Sequence, residues 1–274
     1  TFAGKALHDA ESHGVLSVEH IIATSSNIGA ARIGIKLGEP QLYRYIRDFG
    51  FGARTGIPLS GEIGGSPHPL TKWTKVSIAQ IPMGHGIAVT RLQMTMAMCA
   101  IANHGVLMRP MLVDRLEDRA GHVVAKYSPQ RVRQVIAEPA VNLMVKALKT
   151  VVSPEGTAPK AALEHYTVGG KTGTANKVEN GVYVSGKFIS SFIGFFPADD
   201  PELCISIVMD EPKQGYYGGS TAGPVFKEIA EQAANYLNIR PDIKGSEPAL
   251  SDNLTTATDL RPSKAVAARP LNHP

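Results

Sequence analysis

The sequence predicts a mixed α/β protein of the α+β type, in which neighbouring strands form one sheet and helices pack around it. Three strand-like stretches follow one another along the chain, at Val168–Ala175, Phe188–Pro197 and Leu203–Met209. The last two are continuous apolar runs, which is typical of strands buried on both faces. The chain has 274 residues, of which 43% are hydrophobic, so it can bury a substantial core around this sheet.

Helices are predicted on both sides of these strands from apolar spacing and from capping residues. Before the sheet, they are expected at Val18–Thr24, Ile28–Leu37, Pro40–Phe49, Thr90–Ala102 and Glu138–Val152. Gly38 and Gly50 end the second and third of these, because glycine readily adopts the backbone conformation that stops a helix. Thr90 caps the fourth helix, whose methionines indicate a core position rather than a cofactor site. A closing amphipathic helix is predicted over Ala222–Leu237.

The remaining segments are predicted as loops, turns or short strands. Residues 51–73 are rich in glycine and proline, which predicts a long loop. Met111–Leu116 and Val123–Tyr127 alternate around an Ala-Gly turn, which predicts a β-hairpin. Residues 240–274 contain many Pro, Ser, Thr and Asp residues and few large apolar ones. We therefore expect one domain over residues 1–239, followed by a disordered tail.

Composition excludes several classes of function. A formal charge of +4 without a dense run of lysine or arginine does not indicate a nucleic-acid groove. The two cysteines, Cys99 and Cys204, each lie in an apolar segment, which favours buried structural thiols over a metal site or a disulfide framework. The histidines show no ligand spacing, and no stretch approaches the roughly 18 apolar residues of a membrane span.

The first of the three strands carries an unusual combination of residues. Lys171, Thr172, Gly173 and Thr174 follow two glycines, Gly169-Gly170. Glycine within a strand usually marks a bulge or the close approach of a ligand or another backbone. A lysine flanked by two hydroxyls suits an anionic ligand, a carboxylate above all. The alternative interpretation is a glycine-softened strand with an exposed lysine, since motifs this short often occur by chance.

A second motif, Ser25-Ser26-Asn27, precedes the helix predicted from Ile28. Taken alone, a serine or asparagine here is most simply the cap of that helix. Taken together with Lys171-Thr172-Gly173, it matches two of the three motifs of penicillin-recognising serine acyltransferases, which are Ser-x-x-Lys, Ser-x-Asn and Lys-Thr-Gly.

The resemblance extends over about residues 15–240. The passages that carry it are Ser25-Ser26-Asn27-Ile28-Gly29, Gly84-His85-Gly86-Ile87-Ala88-Val89-Thr90, Ile101-Ala102-Asn103-His104-Gly105, Gly170-Lys171-Thr172-Gly173-Thr174-Ala175 and Ala222-Gly223-Pro224-Val225-Phe226. In order and spacing they resemble class B penicillin-binding proteins, the monofunctional peptidoglycan transpeptidases, and most closely the division-specific type. The resemblance implies the transpeptidase and serine β-lactamase-like fold, an antiparallel sheet packed with helices plus a mainly helical subdomain.

The nucleophile motif of that family is missing. No serine of the chain is followed three positions later by lysine. In the family this motif precedes Ser-x-Asn, so its place would be upstream of Thr1 and the fold would be incomplete at the N-terminus. We expect a C-terminal fragment, whose missing part carried the nucleophile and a membrane anchor, and the alternative is a pseudoenzyme.

The resemblance also implies roles for the residues that are present. Ser25 would relay a proton, Asn27 would hold the substrate amide, and Lys171 would supply positive potential and bond to Ser25 across the cleft. Thr172 and Thr174 would bind the ligand carboxylate beside Gly173, and the Thr174 N–H would form half of an oxyanion hole. None of this chemistry requires a metal or organic cofactor.

The implied partners are peptidoglycan stem peptides ending in D-Ala-D-Ala, β-lactams and division proteins, at the extracytoplasmic face of the cell membrane. Two other functions stay open: a non-catalytic peptide-binding or scaffold module, and a hydrolase of the same superfamily. The hydrolase is disfavoured because class A β-lactamases carry Ser-Asp-Asn, whereas position 26 is Ser. Tyr216-Tyr217-Gly218-Gly219 either borders the cleft or forms a turn with surface aromatics.

Overall fold

A computed structural model describes residues 1–243 of the chain, and its helices and strands alternate irregularly along the sequence. The helices are α1 Val18–Ala23, α2 Asn27–Leu37, α3 Glu39–Asp48, α4 Ser77–Gln80, α5 Arg91–Ala102, α6 Glu138–Thr150 and α7 Gly218–Leu237. The strands are β1 Ser66–Pro67, β2 Ile87–Ala88, β3 Val106–Met108, β4 Arg115–Glu117, β5 Val123–Lys126, β6 Arg131–Gln134, β7 Gly169–Glu179, β8 Val182–Phe196 and β9 Leu203–Asp210. The predicted mixed helix and sheet architecture is therefore confirmed.

The three strands expected from the sequence form one antiparallel sheet in the order β7-β8-β9. Within residues 1–243, strand β7 lies at the edge of this sheet, so Lys171 and its neighbours lie on an edge strand as predicted. In β8, Phe192 and Phe196 are fully buried and meet Phe226 of α7, with the Phe192 and Phe226 ring centres 4.8 Å apart. Helix α7 therefore covers one face of the sheet.

The opposite face of the sheet carries a second apolar cluster. Phe195 of β8 is fully buried there, together with Met98 of α5 and Leu148 of α6. A Cβ atom on Gly169 would lie 2.8 Å from the Phe195 ring, and one on Gly170 would lie 2.9 Å from the Ile193 carbonyl oxygen. These two glycines are thus required by packing within the sheet, because a side chain at either position would meet β8.

Several helix starts follow the capping chemistry read from the sequence. Thr90 accepts a hydrogen bond from the Gln93 N–H at 3.1 Å, while the Gln93 side chain accepts one from the Thr90 N–H at 2.9 Å. This reciprocal capping box fixes the start of α5 at Arg91. The Gln93 amide also donates to the carbonyls of Ala53 and Gly64, which holds part of the long loop at residues 51–73 against α5.

Other predictions from the sequence need correction. Helix α7 begins at Gly218, four residues before the predicted start at Ala222. Glycine is a poor helix former, so Gly218 and Gly219 do not by themselves indicate a helix. In the structure the Tyr217 carbonyl accepts hydrogen bonds from the Ser220 and Thr221 N–H groups, which builds one further turn. The β4–β5 hairpin is confirmed, whereas the pairing of β3 with β6 was not predicted.

Cys99 and Cys204 are free thiols that bring α5 and β9 into contact. Both are partly buried rather than fully buried. A hydrogen bond with Cys99 and burial raise the pKa of the Cys204 thiol, so this thiol stays protonated. Among residues 1–243, no helix is both long and apolar enough to cross a membrane.

The packed part of the chain extends past the predicted boundary at residue 239. Ile239 is buried and its carbonyl accepts a hydrogen bond from the Tyr166 hydroxyl at 2.8 Å. The Asp242 carboxylate accepts from the Thr167 N–H at 2.7 Å and from the Thr167 hydroxyl. The chain thus remains attached to the start of β7 as far as these residues, while the rest of the predicted tail lies outside the described residues.

Replacing Asp242 by alanine is expected to lower the free energy of unfolding by about 1 kcal/mol, because two hydrogen bonds to a carboxylate are lost at an exposed position. The measurement is a urea melt of the complete protein. Asp200→Ala removes a carboxylate at another exposed position and serves as the matched control, for which no change is expected. Equal stabilities of the two variants would contradict the assignment of Asp242 as an anchor.

Candidate active site

Ser25 lies in the short connection between α1 and α2, in a strained backbone conformation. Its φ angle is 56°, a left-handed value that residues other than glycine rarely adopt. The helix cap is the neighbouring residue: Ser26 is buried, and its hydroxyl accepts from the Gly29 N–H at 2.9 Å. Capping therefore accounts for Ser26 but not for Ser25 or Asn27. Strained residues of this kind cluster at functional sites.

Lys171 connects the two motifs predicted from the sequence. Its Nζ donates to the Ser25 hydroxyl oxygen at 2.8 Å, across a separation of 146 residues in the chain. It also donates to the Thr172 carbonyl at 3.1 Å. The geometry thus matches the expected contact between Lys171 and Ser25.

Burial lowers the pKa of Lys171 from 10.5 to about 8, because desolvation disfavours the ammonium form. The side chain is therefore still mostly charged at pH 7, but it titrates much closer to neutrality than an exposed lysine. A lysine that combines strong desolvation with a specific hydroxyl partner is a candidate for a functional group.

The two threonines of the strand are held by residues from outside it. The Thr172 and Thr157 hydroxyl oxygens lie 2.9 Å apart and share a hydrogen bond. The Thr174 hydroxyl accepts from the Gly218 N–H at 3.1 Å, at the start of α7. Both hydroxyls are thereby oriented before any ligand binds. The sequence does not predict a role for Thr157, because its loop carries no motif beyond turn residues.

Tyr216-Tyr217-Gly218-Gly219 lies against β7, which favours the interpretation that this segment borders the cleft. A Cβ atom on Gly218 would lie 2.6 Å from the Gly173 carbonyl oxygen, so the two backbones approach each other closely. Tyr216 stacks on Phe188 with ring centres 4.3 Å apart, while Tyr217 is 55% exposed. Two neighbouring glycines could have signalled this close backbone approach.

A separate cavity in the described part lies away from this site. It has a volume of about 510 Å³, is lined by Glu19, Lys146, Lys149 and Asp199 and contains no predicted site residue. Its lysines are ion-paired, Lys146 with Glu19 at 3.2 Å and Lys149 with Asp199 at 2.8 Å. Within residues 1–243, no group of three or more His, Cys, Asp or Glu side chains could hold a metal ion.

Comparison with known families agrees with the motif geometry. The sequence profile of the penicillin-binding protein transpeptidase domain matches residues 4–231 of the chain. The chain belongs to this family. Stage V sporulation protein D of Bacillus subtilis is 39% identical over 231 residues, which cover 84% of this chain and 36% of that protein. The probable peptidoglycan D,D-transpeptidase PenA of Neisseria gonorrhoeae is 33% identical over 86% of this chain and 39% of its own length.

Solved structures of transpeptidases share the fold. Penicillin-binding protein 3 of Mycobacterium tuberculosis, in complex with ampicillin, superposes with a TM-score of 0.80 at 31% identity and covers 88% of this chain and 56% of that one. The transpeptidase domain of penicillin-binding protein 3 from Burkholderia pseudomallei gives 0.77 at 31% identity, with 86% and 69% covered. The chain spans less than two fifths of the length of the two curated relatives described above.

Proposed function

We propose that the protein carrying this chain is a peptidoglycan D,D-transpeptidase that cross-links stem peptides through a serine acyl-enzyme. The observation that carries the proposal is the 2.8 Å hydrogen bond from Lys171 to Ser25, which brings the Lys-Thr-Gly and Ser-x-Asn motifs together. Membership of the transpeptidase family supports it. The nucleophilic serine is supplied by a Ser-x-x-Lys motif upstream of Thr1, because the chain itself contains none.

In this mechanism the nucleophile attacks the penultimate D-Ala carbonyl of a stem peptide and releases the terminal D-Ala. An amine of a second stem peptide then attacks the acyl-enzyme and forms the cross-link. Ser25 passes a proton between the lysine of the nucleophile motif and the leaving nitrogen. Asn27 binds the substrate amide. A β-lactam follows the first step and stays attached, because no amine displaces it.

Lys171 supplies the charge that the reaction needs at the cleft. Its ammonium group donates to Ser25 and raises the local potential toward the ligand carboxylate, which Thr172 and Thr174 bind through their hydroxyls. The Thr174 N–H stabilises the developing oxyanion beside Gly173, and a donor of this kind is typically worth about 3 kcal/mol of barrier. The chemistry as proposed uses no metal and no organic cofactor.

The proposed setting is the extracytoplasmic face of the cell membrane, reached by an anchor upstream of this chain. The partners are peptidoglycan stem peptides, β-lactams and membrane proteins of the division machinery. The names of the relatives, one a sporulation protein, support a role in septal wall synthesis. The second candidate is a non-catalytic module that binds peptide, and the missing nucleophile motif is what favours it.

Labelling with a fluorescent penicillin, read by mass spectrometry, tests the proposal. The complete protein is expected to form a stoichiometric adduct on a serine upstream of Thr1, whereas the 274-residue chain alone is expected to form none. An adduct on any serine of residues 1–274 would show that the nucleophile was wrongly placed. A complete protein that stays unlabelled would favour the non-catalytic module.

A further inference from the structure

The Ser25–Asn27 connection is held in place by a segment near the beginning of the chain. The Asp9 carboxylate accepts two hydrogen bonds, from the Ser26 hydroxyl at 2.8 Å and from the Ile28 N–H at 2.9 Å. The preceding carbonyl, that of His8, accepts from the Asn27 side-chain amide at 3.0 Å. His8 and Asp9 thus bind the three consecutive residues 26–28, although the bonded residues lie 17 to 19 positions apart in the chain.

Asp9 also fixes the direction of the Ser26 hydroxyl. This hydroxyl is buried and has one proton, which it donates to the Asp9 carboxylate. Its oxygen is therefore left to accept from the Gly29 N–H, the cap of α2. Among residues 1–243 the Asp9 carboxylate has no ion-pair partner, so its charge faces the hydroxyl, the N–H and the positive end of the helix dipole. The Ser26 hydroxyl and the Ile28 N–H both donate, so each needs its own acceptor atom, and the two oxygens of the Asp9 carboxylate supply them.

From this geometry we propose that Asp9 is a positioning residue for acyl transfer, which rests on the function proposed above. Ser25 immediately precedes the anchored Ser26, and its strained φ of 56° persists only if its surroundings hold it. The Lys171 Nζ can donate to the Ser25 hydroxyl oxygen, at 2.8 Å, only if the backbone holds Ser25 in this place. Asp9 does not touch that hydroxyl, and it acts by fixing the backbone on which Ser25 and Asn27 are carried.

The same anchor orients the Asn27 amide. One N–H of this amide donates to the His8 carbonyl, so the second N–H and the amide oxygen are the groups left for a ligand. Misplacing a positioning group by about 1 Å can cost a hundredfold in rate. The structure therefore assigns Asp9 to the preorganisation of both proton relay and amide recognition.

The test is Asp9→Asn in the complete protein. An amide has the size of the carboxylate but only one accepting oxygen. Either the Ser26 hydroxyl or the Ile28 N–H would therefore lose its acceptor. We expect the second-order rate of acylation by a chromogenic cephalosporin to fall about 10- to 100-fold. Glu11→Gln removes the same charge two positions along, at an exposed residue, and is expected to stay within about twofold of the parent.

A double-mutant cycle with Ser25→Ala separates positioning from a general loss of structure. If Asp9 acts in part through Ser25, Asp9→Asn should slow acylation clearly less in the Ser25→Ala background than in the parent, because only the contribution through Asn27 remains. Equal slowing in both backgrounds would overturn the assignment. Should Asp9→Asn not fold, Asp9→Glu, which keeps both accepting oxygens on a longer arm, is carried through the same cycle with the same two outcomes.

Amide hydrogen exchange at Ile28 and Gly29 gives a readout that does not depend on activity. Asp9→Asn is expected to accelerate exchange at both amides at least tenfold, while Glu11→Gln leaves it unchanged. Unchanged exchange at the Ile28 and Gly29 amides in Asp9→Asn would overturn the anchor, whatever the acylation rate of that variant. A parent that does not acylate would instead overturn the proposed function, so the two failures are distinguishable.

Discussion

Replacing Lys171 by alanine is expected to slow acylation of the complete protein about a hundredfold or more, with a much smaller effect on stability. The ammonium group contacts the Ser25 hydroxyl at 2.8 Å, so its loss removes a preorganised charge where charge moves during acylation. Lys171 lies on the edge strand of the sheet rather than in either apolar cluster around it. The measurement is the second-order rate with a chromogenic cephalosporin, beside a denaturant melt of each variant.

Arginine at position 171 is expected to recover only part of this rate, because a planar guanidinium cannot replace a compact ammonium at the same place. The pH profile supplies a sharper comparison. Burial sets the pKa of Lys171 at about 8, so the parent should lose acylation rate as pH rises through about 8 and the ammonium group loses its proton. Lys171→Arg should lack this decline, because its guanidinium stays charged.

Stability should respond to pH in the opposite sense. The unfolded chain holds the Lys171 proton up to a pKa near 10.5, whereas the folded protein releases it near 8. Between these values the unfolded state binds more protons, so the parent gains stability relative to Lys171→Ala as pH rises.

A Lys171→Ala variant that acylates at the parent rate would show that the site is wrongly assigned. One that fails to fold would favour the structural interpretation of this strand.

Much of this arrangement could be predicted because short-range sequence patterns encode it. The apolar runs of β8 and β9 predict buried strands, and Thr90 predicts the start of α5 through local capping chemistry. The Lys-Thr-Gly and Ser-x-Asn motifs could be paired because together they resemble two of the three motifs of penicillin-recognising serine acyltransferases. The structure brings their side chains within hydrogen-bond distance.

The residues that the sequence did not reveal act through tertiary contacts. Thr157 lies in a loop and reaches Thr172 only because the loop packs under the end of α1, where the Thr157 N–H donates to the Ala23 carbonyl. Asp9 lies in a segment without helix or strand periodicity, and its partners are 17 to 19 residues away. No spacing rule connects such positions, since their contact is set by the path of the whole chain.

The second large effect is expected at Gly219, where alanine should lower the free energy of unfolding by about 3 kcal/mol. A Cβ atom there would overlap the Thr157 carbonyl oxygen and lie 2.9 Å from its carbon and 3.1 Å from the Ala158 Cα. These neighbours are backbone atoms, so no side-chain rotation relieves the clash. Either α7 or the loop that carries Thr157 must move.

The same helix offers a matched control, Gly223→Ala. Its Cβ atom would lie 3.6 Å from the Ala161 Cβ, an ordinary van der Waals contact, and alanine is favoured over glycine within a helix by up to about 1 kcal/mol. We therefore expect Gly223→Ala to match or exceed the parent in a urea melt while Gly219→Ala unfolds at much lower urea. A shift of Thr157 also disturbs its hydrogen bond to Thr172. The fraction of Gly219→Ala protein that remains folded should therefore acylate more slowly than the parent. If Gly219→Ala proved as stable as Gly223→Ala, the close packing of α7 against this loop would be refuted.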